Sequence, residues 1–93
     1  MKYKLKLSKT FKKDLKKCIK RGLDKDKLNE VVDVLLVGGK LEERYRDHKL
    51  VNCKKYMNMR ECHIQPDWLL VYKQENDILV VTLVATGTHS DLF

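Results

Sequence analysis

The apolar residues of this chain keep helical spacing in its first half and strand character in its second, and that division limits the folds open to it. Phe11, Leu15, Cys18 and Ile19 fall at i, i+4, i+7 and i+8, a single helical stripe with lysines around the rest. Ser8 is placed to cap this helix and Gly22 to stop it. Asp24 can cap a second helix whose apolar face is Leu28, Val31, Val32, Leu35 and Leu36, ended by Gly38 and Gly39. The tight turn between the two predicts an antiparallel helical hairpin.

Strand signals flank this pair. Residues 3–7, Tyr-Lys-Leu-Lys-Leu, alternate with period two and predict a half-exposed strand. Residues 40–55 are polar and non-periodic and are expected to form a loop. Tyr56 to Ile64 alternates loosely, Trp68 to Lys73 is rich in β-formers, and Ile78 to Val84 is the most β-branched stretch. Pro66 and the Asn76-Asp77 pair mark the turns between them. Short links make an antiparallel meander the simplest arrangement, so the chain predicts one α+β domain over residues 1–93 with helices packed on a sheet.

Charge is unevenly placed. The net charge is +7, yet residues 1–21 hold ten Lys or Arg against the single acid Asp14. The basic character therefore belongs to the first strand and helix, with Lys12, Lys13, Lys16, Lys17 and Lys20 around the apolar stripe. Such a face attracts phosphate backbones or acidic polypeptides through salt-sensitive electrostatics, although a lysine run is also what a solvated helix face looks like. No apolar run approaches the ~20 residues that span a bilayer, and the N-terminus lacks the apolar core of a secretion signal. A cytoplasmic protein with no membrane partner is expected. Cys18, Cys53 and Cys62 are odd in number and lack Cys-x-x-Cys spacing, which fits reduced thiols. A zinc site on Cys53, Cys62 and His63, or on the three histidines, has poor ligand spacing, so no metal or cofactor is expected.

His48 lies in the polar loop, His63 just before the Gln65-Pro66 bend, and His89 after Gly87. In a meander, His63, Asp67 and His89 share one end of the sheet, and His48 joins them if its loop folds back. RNA cleavage by acid–base chemistry needs a base for the 2′-hydroxyl, an acid for the leaving 5′-oxygen, and a cation for the phosphorane. Histidine serves either proton-transfer role near neutrality. Trp68 and Phe93 are candidates for stacking on bases. Each also has a plain structural reading: a surface histidine, a turn aspartate, a core tryptophan.

Three separated blocks carry a family resemblance. Residues 60–72, Arg-Glu-Cys-His-Ile-Gln-Pro-Asp-Trp-Leu-Leu-Val-Tyr, resemble the central signature of YafQ-type toxins, of the RelE/ParE superfamily. Residues 86–93, Thr-Gly-Thr-His-Ser-Asp-Leu-Phe, resemble their C-terminal signature, and residues 45–50, Tyr-Arg-Asp-His-Lys-Leu, match the loop before the first block. The resemblance spans the chain and implies a RelE-like fold, ribosome-dependent cleavage of translated mRNA, and inhibition by a DinJ-type antitoxin. It implies His48, His63, Asp67 and His89 as catalytic candidates, with His89 as general acid and His48 or Asp67 as base. His63 is implied to hold the phosphate or the network, and Trp68 and Phe93 to contact RNA or shape the site. The lysines of the first helix are implied to dock on ribosomal RNA.

Two departures bear on activity. Ala85 stands where the family usually carries an arginine that stabilises the phosphorane. Losing one such donor typically costs ~10²–10³ in rate. Ala85 is either a natural weakening, offset by Arg60, Lys49 or Lys54, or a deliberate Arg→Ala change to a lethal toxin, and the fit of the flanking motif favours the second. The stretch Val51 to Met59 is longer than the family's glycine-containing equivalent, which bears on how His48 meets His63. The alternatives are a ParE-like gyrase-inhibiting protein, against which the histidine–aspartate set argues, and a non-catalytic relative that keeps only antitoxin binding.

Overall fold

A computed structural model describes Met1–Phe93. Its elements are β1 (Lys4–Leu7), α1 (Lys9–Lys20), α2 (Lys25–Leu36), a 3-10 turn (Glu43–Tyr45), β2 (His48–Lys49), β3 (Arg60–Gln65), β4 (Trp68–Glu75), β5 (Val80–Gly87) and α3 (His89–Leu92). The five strands form one open sheet in the order β1-β5-β4-β3-β2. β3, β4 and β5 are the expected meander. β1 adds to it in parallel, with Leu5 opposite Val81, and the short β2 closes the other edge, with His48 opposite Glu61.

Both helices start where their caps predict. The Ser8 hydroxyl accepts from the Phe11 amide at 2.9 Å and donates to the Val84 carbonyl at 2.7 Å, which ties the start of α1 to β5. The Asp24 carboxylate accepts from the Asp26 amide at 2.9 Å. Gly22 takes the left-handed backbone, φ +89°, that ends α1. All five apolar residues predicted for α2 are buried, whereas Ile19 of α1 is exposed. α1 lies against β5 and α2 against β3. No helix is long and apolar enough to cross a membrane.

Alternation along β4 gives the sheet two buried faces. Trp68, Leu70 and Tyr72 pack with Phe11, Val31, Leu35, Cys62 and Leu83 under the helices. Leu69 and Val71 pack on the opposite face with Tyr56, Ala85 and Leu92. That second face is covered by the 50–59 segment and α3. A bulge in the β4–β5 pairing, where Val71 opposes Ala85 but Tyr72 opposes Leu83, leaves Val84 as the extra residue. It shifts the phase of β5, so Leu83 faces the helices while Ala85 faces the other way.

The strand expected from Tyr56 begins only at Arg60. Residues 52 and 58 are asparagines with φ +55° and +62°, a conformation that asparagine tolerates better than most residues. The chain between them coils to seat Tyr56 on the second core instead of extending the ladder.

Candidate active site

Strand register brings the polar residues together. His48 pairs with Glu61 across β2 and β3, and His63 lies two residues along from Glu61 on the same face. The rung continues from Glu61 to Val71 and then Ala85. The next rung runs from His63 to Leu69 and Gly87, where α3 begins to form.

The carboxylate of Glu61 is the centre of this edge. Its residue is only 4% exposed. Oε1 lies 3.4 Å from His63 Nε2 and 3.8 Å from His48 Nε2. His63 Nδ1 donates to the Pro66 carbonyl at 3.2 Å, and His48 Nδ1 donates to the Arg46 carbonyl at 2.7 Å. A carbonyl only accepts, so both imidazoles carry hydrogen on Nδ1 and turn Nε2 toward the carboxylate. A proton arriving at either Nε2 therefore finds an anion waiting, which suits a base that must hold a proton briefly.

The third histidine comes from the chain's last turn. Thr88 caps α3, its hydroxyl accepting from the Asp91 amide at 3.1 Å while its own amide donates to Asp91 Oδ2 at 2.9 Å. Gly87, at φ +155°, allows this packing, since a Cβ there would meet Asp91 Oδ2 at 2.8 Å. The turn sets the His89 ring 5.8 Å from that of His63. Asp67 Oδ1 accepts weakly from the His89 amide at 3.4 Å and lies 3.8 Å from His89 Nδ1. Asp67 thus stands beside His89, with its side chain too far from Nδ1 for a hydrogen bond. Phe93, 54% exposed, sits 6.1 Å from the His89 ring and edge-on to Tyr56 at 5.6 Å. The Lys55 ammonium donates to the Leu92 carbonyl at 3.3 Å and leaves a cation at this end.

Other sequence candidates fall elsewhere. Trp68 is not an RNA-stacking platform: it is 1% exposed under the helices, its indole donating to Thr86 Oγ1 at 2.9 Å. Thr86 Oγ1 in turn donates to the Leu69 carbonyl at 2.7 Å, so Trp68 braces the floor from behind. Arg60 alternates with Glu61 and faces the helix side, paired with Asp47 at 3.3 Å. Asp47 also accepts from the Tyr72 hydroxyl at 2.6 Å. This network holds the loop that carries His48, and it keeps the Arg60 guanidinium on the helix side, away from Glu61 and Ala85. Lys49 alternates with His48 and points away from Glu61. Lys54 lines a shallow recess with Lys49 and Val51, apart from the histidines. Lys12, Lys13, Lys16, Lys17 and Lys20 are all exposed on α1.

Ala85 does face the site side of the sheet, on the Glu61 rung, but it is 1% exposed among Tyr56, Leu69, Val71 and Leu92. Sequence reasoning passed over Glu61, Lys55, Tyr56 and Arg46. The signal for Glu61 was present: an acid two residues before His63, out of phase with the apolar Cys62 and Ile64. Nothing local to the sequence marks the other three. No group of three or more His, Cys, Asp or Glu is arranged to hold a metal ion.

A RelE-like α+β sheet, with histidines and carboxylates gathered where β3, β4 and α3 meet, defines a protein class that sequence comparison narrows further. The model of the family described as a bacterial toxin of type II toxin–antitoxin systems, YafQ, matches residues 3–93, and the chain belongs to that family. It is 37% identical over 84 residues to an mRNA interferase toxin YafQ of Escherichia coli, covering 89% of this chain and 87% of that one. Among solved structures, a metal-bound toxin from Helicobacter pylori superposes with TM-score 0.90 at 40% identity, over 98% of this chain and 99% of that one. The DinJ–YafQ complex of E. coli gives TM-score 0.87 at 33% identity, over 98% of each chain.

Proposed function

We propose that the chain is an endoribonuclease that cleaves mRNA on the translating ribosome and is held inactive by a DinJ-type antitoxin. The observation that carries this reading is the buried Glu61 carboxylate between His48 and His63, with His89 one ring further on. His48 Nε2 takes the 2′-hydroxyl proton, and Glu61 stabilises the imidazolium that results. The freed 2′-oxygen attacks phosphorus, and the phosphorane charge is met by Lys55, with His63 completing the network around the phosphate. His89, beside Asp67, gives a proton to the departing 5′-oxygen, leaving a 2′,3′-cyclic phosphate. Phe93 offers a surface for one base. The exposed lysines of α1 supply long-range attraction to ribosomal RNA. Two relatives support the RNA substrate and the antitoxin: one is called an mRNA interferase, and another is seen with DinJ.

Ala85 favours a second reading, a relative that binds antitoxin without cleaving. Its closed apolar setting supports a natural small residue more than an engineered truncation, because Tyr56 and Leu92 already fill the space above it. Cleavage of mRNA on programmed ribosomes, compared between this chain and Ala85→Arg, separates the two. Cleavage that disappears in His89→Ala supports the enzyme. Silence from both folded proteins rejects it, and a supercoiling assay then tests a gyrase inhibitor.

A further inference from the structure

β2 pairs only with Arg60 and Glu61, so the edge of β3 beyond Cys62 has no strand beside it. A recess of about 430 Å3 opens there, walled by Lys27 and Glu30 of α2, by Arg44, Tyr45 and Arg46, and by His63. His63 is the only histidine that lines it, and neither His89 nor Phe93 does. His63 therefore stands between this recess and the His89–Phe93 end of the site.

The lining has its own chemistry. Three cations face one acid. Arg46 leaves the 3-10 turn in the left-handed region, φ 48°, with its carbonyl committed to His48 and its exposed side chain in none of the ion pairs. Lys27 is likewise exposed and unpaired. The Arg44 guanidinium lies 4.6 Å over the Tyr45 ring and donates to its hydroxyl at 2.8 Å, forming a flat cationic surface. Arginine planes and aromatic rings are what unstacked RNA bases settle on. The volume lies in the lower half of the roughly 300–1,000 Å3 typical of small-ligand sites, enough for one nucleotide and too little for a helix.

We infer that this recess is the subsite for the nucleotide adjoining the scissile phosphate, on the side away from Phe93. Lys27 and Arg46 hold its phosphate, and the Arg44–Tyr45 surface carries its base. The inference rests on the endoribonuclease reading and extends it: the substrate is single-stranded RNA gripped on both sides of the histidines. An acidic peptide would satisfy the cations but would leave the stacked surface and the adjacency to His63 without purpose.

The test is titration of the intact chain with a short RNA whose 2′-hydroxyls are methylated, so that it binds without being cut, followed by amide resonances. Shifts at Lys27, Arg44, Tyr45 and Arg46 together with His63 and His89 are expected. Lys27→Gln and Arg46→Gln should each weaken binding about tenfold and each lower the salt slope of log affinity by roughly 0.7. Lys27 is exposed on α2, so its variant folds independently of the His48 loop. Shifts at His63, His89 and Phe93 without shifts in the recess overturn the subsite and leave the endoribonuclease standing. Absence of any shift overturns the subsite, and cleavage on programmed ribosomes then decides the endoribonuclease by itself. An equal response to an oligoglutamate of the same charge reduces the recess to a general cation patch and also overturns the inference.

Discussion

Arg21 Nη1 lies 2.6 Å from Asp91 Oδ2 and Nη2 lies 3.3 Å from Oδ1, so the end of α1 grips α3 across 70 residues of sequence. The grip bears on chemistry because α3 carries His89 and is a single turn long, too short to hold itself in place. Arg21→Gln should free that turn and lower cleavage by up to about 10²-fold, the scale of effect from misplacing a reacting group by an ångström. Both side chains are substantially exposed, so unfolding stability should change little. Parallel melts and ribosome cleavage assays check this, and Arg21→Lys should restore part of the rate. A large melting change with an equal loss of rate would mean Arg21 merely holds the fold.

The same pair adds an acid dependence, kept small because both side chains are screened by solvent. The Arg21 guanidinium, then the Thr88 amide, hold the Asp91 carboxyl well below the usual carboxylate range. A depressed folded value gives stability that is whole above the unfolded value near 3.9 and is lost as pH falls below it. The chain should therefore show no change in this contribution between neutrality and about pH 5, then a decline toward pH 2. Asp91→Asn should flatten that decline, seen in denaturant midpoints measured across the acid range. An unchanged acid limb would place the linkage elsewhere.

Glu61→Gln keeps the shape of the side chain and removes the anion facing His48 and His63. With no carboxylate to stabilise the imidazolium formed on His48, kcat should fall by roughly 10²–10⁴ with KM little altered. The assay is best run in whichever background, native or Ala85→Arg, gives measurable cleavage. Full activity in the folded variant would reduce Glu61 to a buried strut.

The thiols divide by burial. Desolvation pushes Cys18 up, against the pull of Arg21, and pushes Cys62 far above the ordinary thiol range. All three cysteines are free and only Cys53 is partly exposed. One equivalent of an alkylating reagent should therefore go on quickly, at Cys53, with Cys18 and Cys62 reacting only after denaturant is added. Mass spectrometry of the labelled peptides decides it.

Much of this was legible because the governing signals are local. Ser8, Gly22 and Asp24 mark helix ends by side-chain and backbone chemistry that acts within a few residues. The β-branched run through Val84 announces a strand, and the bend at Pro66 fixes which end of the sheet His63 shares with Asp67. What stayed hidden depends on pairing. Nothing near Lys4–Leu7 says that it joins β5 in parallel. The bulge at Val84 reverses the face of Ala85, a change of phase that composition cannot reveal. Trp68 looks like a base-stacking ring until alternation through Leu70 and Tyr72 assigns it to the helix side. Arg60 was lost from the site by the same parity that admitted Glu61.

Position 85 turns that parity into an experiment. Ala85 and Glu61 share a rung two strands apart. At about 4.8 Å per strand, roughly 10 Å separates their backbones. An arginine at 85 leaning back over Val71 would bring its guanidinium toward a phosphate held by His63. To do so it must displace Tyr56 or Leu92, which now seal Ala85 from water. Ala85→Arg should therefore raise cleavage by about 10²–10³ while costing about 1–3 kcal/mol of stability through overpacking. Ala85→Leu supplies the control, since it adds bulk without a donor. It should reproduce the loss of stability and give no gain in rate. If arginine and leucine alter cleavage alike, the effect belongs to the loop they disturb and not to a restored cation.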